Sequence, residues 1–144
     1  MRAHAAVAAL LVLPLAACGG GLSKAELVEQ GDAICKHVND KIAKQQEPTN
    51  AADLAALAKE TVKISDPAID DMAALEPPDE LAKDFDAFVA SLKKQRDLTK
   101  RIGDAAGKGD TVKIQQIAND AQKAQTEYRR LSDKIGFKEC GGGN

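Results

Sequence analysis

Between Ser23 and Ile135 apolar side chains return every three or four positions, the spacing of one helix face, and no stretch alternates as a strand would. The first stripe is Leu27, Gly31, Ile34, Val38 and Ile42, with Val28 and Cys35 beside it. It opens behind Ser23 and Glu26, spaced as a capping box. It predicts a helix running to about Gln46, ahead of Glu47-Pro48. The second stripe follows Asn50, a favoured N-cap. It runs Leu54, Leu57, Ala58, Thr61, Ile64, Ser65, Ala68, Met72 and Leu75, with Pro67 inside it. At Pro67 either the helix kinks or Asp66 caps a fresh turn. The stripe keeps its phase across the proline, so a kinked helix is expected. Pro77-Pro78 end it.

A third helix is expected from Asp79-Glu80, whose charges suit a helix N-terminus. Leu81, Phe85, Phe88, Leu92, Thr99, Ile102 and Ala106 form its stripe, with Gln95 a polar interruption. Gly107 and Gly109 break it. Asp110 or Thr111 then caps a fourth helix. Its seam, Ile114, Ile117, Ala121, Ala124, Tyr128, Leu131 and Ile135, alternates steps of three and four. Gly136 and Phe137 read as a Schellman-type stop. Four helices joined by short connections predict an all-α, antiparallel up-down four-helix bundle. It would occupy residues 23–140, followed by a flexible tail at 141–144.

The first residues follow another pattern. Arg2 supplies a basic start, and Ala5 to Ala17 run 13 residues without a polar side chain. That is a secretory signal pattern, too short for a stable transmembrane helix, which needs about 20 apolar residues. Leu15-Ala16-Ala17-Cys18 closes it and resembles a bacterial lipobox. The resemblance implies cleavage after Ala17 and a diacylglyceryl group on Cys18, often with a further acyl chain. Two or more chains anchor a protein stably. Residues 1–17 would then be signal peptide, and 18–22 the lipidated cysteine and a short glycine spacer. The domain would face the extracytoplasmic side of a cell membrane.

Lipidation changes the cysteine arithmetic. Of Cys18, Cys35 and Cys140 it consumes the first and leaves two in an oxidising compartment, where disulfides persist. One Cys35–Cys140 bond is expected. The alternatives are two free thiols or a two-cysteine metal site. In an up-down bundle helix four ends where helix one begins. Cys35 then stands about 18 Å up helix one at 1.5 Å per residue. Residues 136–140 reach roughly 17 Å when extended, enough if the tail runs back along helix one.

Composition narrows the function classes. The chain carries a net charge of −2, and loss of Arg2 with the signal takes this to −3, so no nucleic-acid partner is expected. With no Trp, one Tyr and three Phe, aromatic stacking sites are thin. His37 is the one histidine left after the signal, and Ile34 rather than Glu stands three before it, so the di-iron bundle motif is absent. Haem ligation has no CxxCH to support it. Ser65, Ser91 and Ser132 lie in helical runs without a nucleophile motif. Asp70, Asp71, Glu76, Asp79, Glu80, Asp84 and Asp86 read as a solvated acidic face, and Lys93, Lys94, Arg96, Lys100 and Arg101 as a polar helix face. No metal, no cofactor and no catalytic residue is expected.

Gly-Asp-Ala-Ile-Cys at 31–35, Leu-Glu-Pro-Pro at 75–78 and Gly-Phe-Lys-Glu-Cys-Gly at 136–141 together resemble small bacterial lipoproteins, chiefly of actinobacterial type. The resemblance implies an extracytoplasmic helical domain and brings no activity with it. The expected function is a non-enzymatic binding or protein-interaction module with a protein partner still to be identified. The alternative is a carrier of a small hydrophobic ligand, lipid or haem, in a cavity between helices. Ala121 and Ala124 are the candidate lining of such a cavity.

Overall fold

The computed structural model describes residues 21–141. The lipobox and Cys18 lie outside them, as do residues 142–144. Four helices make up the described chain: α1 (Lys24–Ile42), α2 (Ala51–Ala73), α3 (Ala82–Gly107) and α4 (Thr111–Ile135).

Their ends follow from local chemistry. Ser23 and Glu26 form the capping box: Ser23 Oγ accepts from the Glu26 N–H at 3.3 Å, and Glu26 accepts from the Ser23 N–H at 2.9 Å. Asn50 caps α2 through the Asp53 N–H, and Asp110 caps α4 through the Lys113 N–H, each at 2.9 Å. Helix α1 stops at Ile42 rather than near Gln46. The Lys44 and Gln45 N–H groups bond three residues back, to Lys41 and Ile42, and this tightens the chain into a turn. Helix α3 starts at Ala82, later than Asp79. Residues 79–81 form a turn, with Leu81 N–H to the Pro78 carbonyl at 2.9 Å, and Leu81 gives no side-chain cap. Helix α2 runs through Pro67 as one helix, so Asp66 starts no new one. Pro67 is exposed, and the internal hydrogen bond lost there lies on the solvent side.

The helices alternate in direction. The Leu22 N–H bonds the Glu76 carbonyl at 2.8 Å, which ties the entry to α1 to the α2–α3 turn. Gly136, at the end of α4, lies beside Lys24 and Val28 at the start of α1. The core falls into two clusters. The lower one holds Leu27, Met72, Phe85, Phe88, Leu131 and Ile135, with Phe137 and the two bonded cysteines. The upper one holds Leu98, Ala105, Ile117 and Ala124, and α1 contributes nothing to it. With 19 residues against 26 and 25 in α3 and α4, α1 ends at Ile42, short of the level of Ala105 near the far end of α3. The bundle is thus four-helical below and three-helical above. Where α2 and α3 cross in the upper part, Ala58 and Gly103 pack closely: a Cβ at Gly103 would stand 2.8 Å from that of Ala58.

Candidate functional site

The C-terminal tail climbs back along α1. Gly136 takes φ 105°, a left-handed conformation suited to glycine, and its N–H and that of Phe137 both donate to the Ser132 carbonyl. The chain is thereby turned towards α1. Phe137 enters the core over Gly31, its ring centroid 5.0 Å from that of Phe88. The Lys138 and Glu139 N–H groups donate to the Asp32 carboxylate at 2.9 Å each. Asn39 Nδ2 donates to the Glu139 carbonyl, and Cys140 reaches Cys35 to form the disulfide, Cα to Cα 5.1 Å. Gly31, Asp32 and Cys35 on α1 thus receive Phe137, Lys138, Glu139 and Cys140 in order. The two glycine-and-cysteine motifs at the ends of the domain are two halves of one clasp.

Above the clasp, between α1 and the other helices, lies a cleft of about 240 Å³. The buried disulfide, Met72 and Tyr128 close its lower part. Ile34 and Val38 from α1, Ile69 from α2 and Leu92 from α3 give it apolar walls. Thr61 and Ser65 on α2 and Gln95 and Thr99 on α3 bring polar groups into it. These four are the polar members of two otherwise apolar stripes, and the helix register sets them at one level. The cleft exists because α1 is held by its lower half and leaves the polar stretch of α2 and α3 incompletely covered.

Most of its polar groups have partners. The Thr99 hydroxyl donates to the Gln95 carbonyl at 3.0 Å, Ser65 to the Thr61 carbonyl at 2.8 Å, and Thr61 to Gln45 Oε1 at 3.1 Å. Gln95 Nε2 is buried without a protein partner. Arg96, the one charged residue lining the cleft, pairs across α2–α3 with Asp66 at 3.1 Å, and Asp97 lies 3.0 Å from its Nε. The Tyr128 phenol stacks on Phe88 with centroids 5.4 Å apart. Burial first, and the Asp32 carboxylate second, push its ionisation above the usual tyrosine range, so it presents a neutral hydroxyl.

The residues weighed for chemistry fall elsewhere. His37 is exposed on α1. Ser91 is buried and donates to the Phe88 carbonyl at 2.7 Å. Asp70, Asp71, Glu76, Asp79, Glu80 and Asp86 are exposed, and Asp84 pairs with Lys134 at 2.8 Å. Lys93, Lys94, Lys100 and Arg101 are exposed too. No cluster of three or more metal-ligating side chains occurs among the described residues, and no helix among them is long and apolar enough to cross a membrane. Ala121 and Ala124 do not line the cleft; Ala124 is buried in the upper cluster with Leu98 and Ala105, and Ala121 packs against it. Small residues there bring helices together rather than open a cavity. The cleft had a different signal in the sequence, the polar interruptions Thr61, Ser65, Gln95 and Thr99. Compared with known proteins, the chain matches no family model, no curated protein and no solved structure.

Proposed function

We propose that this chain is a lipid-anchored extracytoplasmic binding domain that holds a small guest in the cleft beside α1. The single observation behind the guest is the cleft itself. Pockets for drug-sized ligands run about 300–1,000 Å³. A volume of about 240 Å³ suits a more compact molecule than a haem or a diacyl lipid. What the walls offer is shape, apolar surface, hydroxyls and amides, groups that recognise a molecule rather than transform it.

A protein-docking reading has less to rest on. The two large apolar side chains most exposed among the described residues, Ile42 and Val112, stand on different helices and form no patch.

The anchor rests on Leu15-Ala16-Ala17-Cys18 and on the tie of Leu22 to Glu76. Four residues past Cys18 the chain joins the α2–α3 end, a distance of at most about 14 Å. Leu92, the lowest α3 residue of the cleft, stands roughly 15 Å further up the helix. On this reading the guest enters from water, above the lipid surface.

The test is ligand-linked stability. A small apolar probe, methylenecyclohexane, raises the melting temperature of the wild-type chain, because a molecule that binds only the folded state stabilises it. Ala68→Phe fills the cleft and abolishes the rise. An equal rise in both proteins would place the binding elsewhere.

A further inference from the structure

We infer that the guest of the cleft is a compact, uncharged molecule with an apolar body and one hydrogen-bond acceptor, and that the Gln95 side-chain amide reads the acceptor. This rests on the cleft being a binding site and adds the chemistry of what it binds.

The apolar body follows from the walls, Ile34, Val38, Ile69 and Leu92. The acceptor follows from hydrogen-bond accounting. Buried polar groups in folded proteins are nearly always paired, so each exception asks for an explanation. Gln95 Nε2 is such an exception: Gln95 is a lining residue of the cleft, and its Nε2 is closed off from water without a partner, so the amide must turn to meet a guest. Thr99, Ser65 and Thr61 each direct their proton to a protein oxygen, and Asn39 Nδ2 donates to the Glu139 carbonyl, which leaves the Tyr128 hydroxyl and the Gln125 amide as the other uncharged side-chain donors lining the cleft. Gln45 Nε2, Ser132 Oγ and Arg96 Nε are also buried without a hydrogen-bond partner; of these residues only Arg96 lines the cleft, and its Nε lies 3.0 Å from the Asp97 carboxylate. A leucine at position 95 would continue the stripe of Leu92 and Ile102. The amide breaks that stripe at the level where the cleft opens.

Neutrality follows from Arg96. Its guanidinium already faces the Asp66 and Asp97 carboxylates. An anionic guest would compete with both, and a cationic guest would meet the guanidinium itself. An uncharged carbonyl or ether oxygen avoids both conflicts and accepts what Gln95 has to give. Size follows from the volume, which holds a small ring or a short branched chain.

Cyclohexanone and methylenecyclohexane make the test. They share a ring and nearly a volume, and differ in the acceptor. All described core residues and both bonded cysteines lie within residues 22–140, so the mature chain carrying Cys18→Ser folds without its anchor. NMR titration of that chain gives the affinity for each probe and the shift of the Gln95 side-chain amide. Cyclohexanone is expected to move the Gln95 amide signal, and methylenecyclohexane to leave it nearly in place. Gln95→Leu is expected to lower the ketone-to-olefin affinity ratio about three- to ten-fold, the worth of one neutral hydrogen bond, while olefin binding persists. Gln95→Glu, which has no donor when ionised, lowers the same ratio and serves if the leucine variant misfolds. A ratio unchanged in both variants overturns the role of Gln95 and leaves the cleft standing as a site. Binding of neither probe to the wild-type chain overturns the cleft reading itself.

Discussion

Gly31 is the socket of Phe137. A Cβ built at Gly31 would lie 2.7 Å from Cζ of that ring, and closer still to Cε1. The ring cannot back away, because Phe88 lies behind it and the chain on either side is fixed by Gly136 and by the disulfide. In an open helix Gly→Ala would gain about 1 kcal/mol from helix propensity. Here overpacking dominates, and Gly31→Ala is expected to destabilise by about 1–3 kcal/mol. Phe137→Ala should cost about 3–5 kcal/mol. Urea unfolding of the single variants and of Gly31→Ala/Phe137→Ala measures the coupling. The double variant should be less destabilised than the sum of the two singles, since an alanine at 31 is harmless once the ring is gone.

The covalent half of the clasp has its own signature. Alkylating the unreduced, unfolded protein should leave Cys35 and Cys140 unmodified by mass. Cys35→Ala/Cys140→Ala opens a loop of 105 residues, for which the chain-entropy model gives roughly 4–5 kcal/mol. The measured loss in urea should approach that figure. Asp32→Ala removes the acceptor of two tail N–H groups and should cost about 1 kcal/mol, because these bonds are exposed.

Acid should loosen the first turns of α1 and α2. Hydrogen bonds from Ser23 hold the Glu26 carboxyl below its usual ionisation range, and those from Thr49 chiefly, with Asn50, do the same for Asp53. A carboxylate depressed in the folded state stabilises it fully above the unfolded value, near pH 4, and loses that contribution as pH falls through the folded value. Stability should therefore decline below about pH 4. Glu26→Gln, which keeps an acceptor but does not titrate, should flatten part of the decline in urea midpoints taken across that range.

Cys18→Ala tests the anchor. The variant should be released to the medium or retained with its signal uncut, as cell fractionation and the mass of the N-terminal peptide would report. A processed protein still partitioning with membranes would show that another feature holds it there.

Much of the architecture was legible because each helix writes its buried face at a fixed period. The four stripes, the caps at Ser23, Asn50 and Asp110, and the stop at Gly136 needed only local spacing. The pairing of Cys35 with Cys140 followed from counting cysteines, and the bond is present with the tail running back along α1 as its reach required. Other features depend on contacts between distant segments. Gly31 read as one more stripe position, since its meaning lies in Phe137. The spacing puts the end of α1 near Gln46, but Gln45 instead lies in a turn and receives the Thr61 hydroxyl. Ala121 and Ala124 suggest a cavity by their size, but there small side chains merely allow close packing. Thr61, Ser65, Gln95 and Thr99 were visible as polar residues on apolar faces. That they meet at one level depends on the relative register of α2 and α3, which no single-helix pattern encodes.

The cleft is tested most directly through Tyr128. It is the only tyrosine in a chain without tryptophan, and it lines the cleft, so the intrinsic emission of the whole protein reports on that site. Titrating the mature chain with methylenecyclohexane should change Tyr128 emission along a saturating curve, and Ala68→Phe should flatten it. Emission that stays constant while the probe reaches its solubility limit would contradict a guest in the cleft.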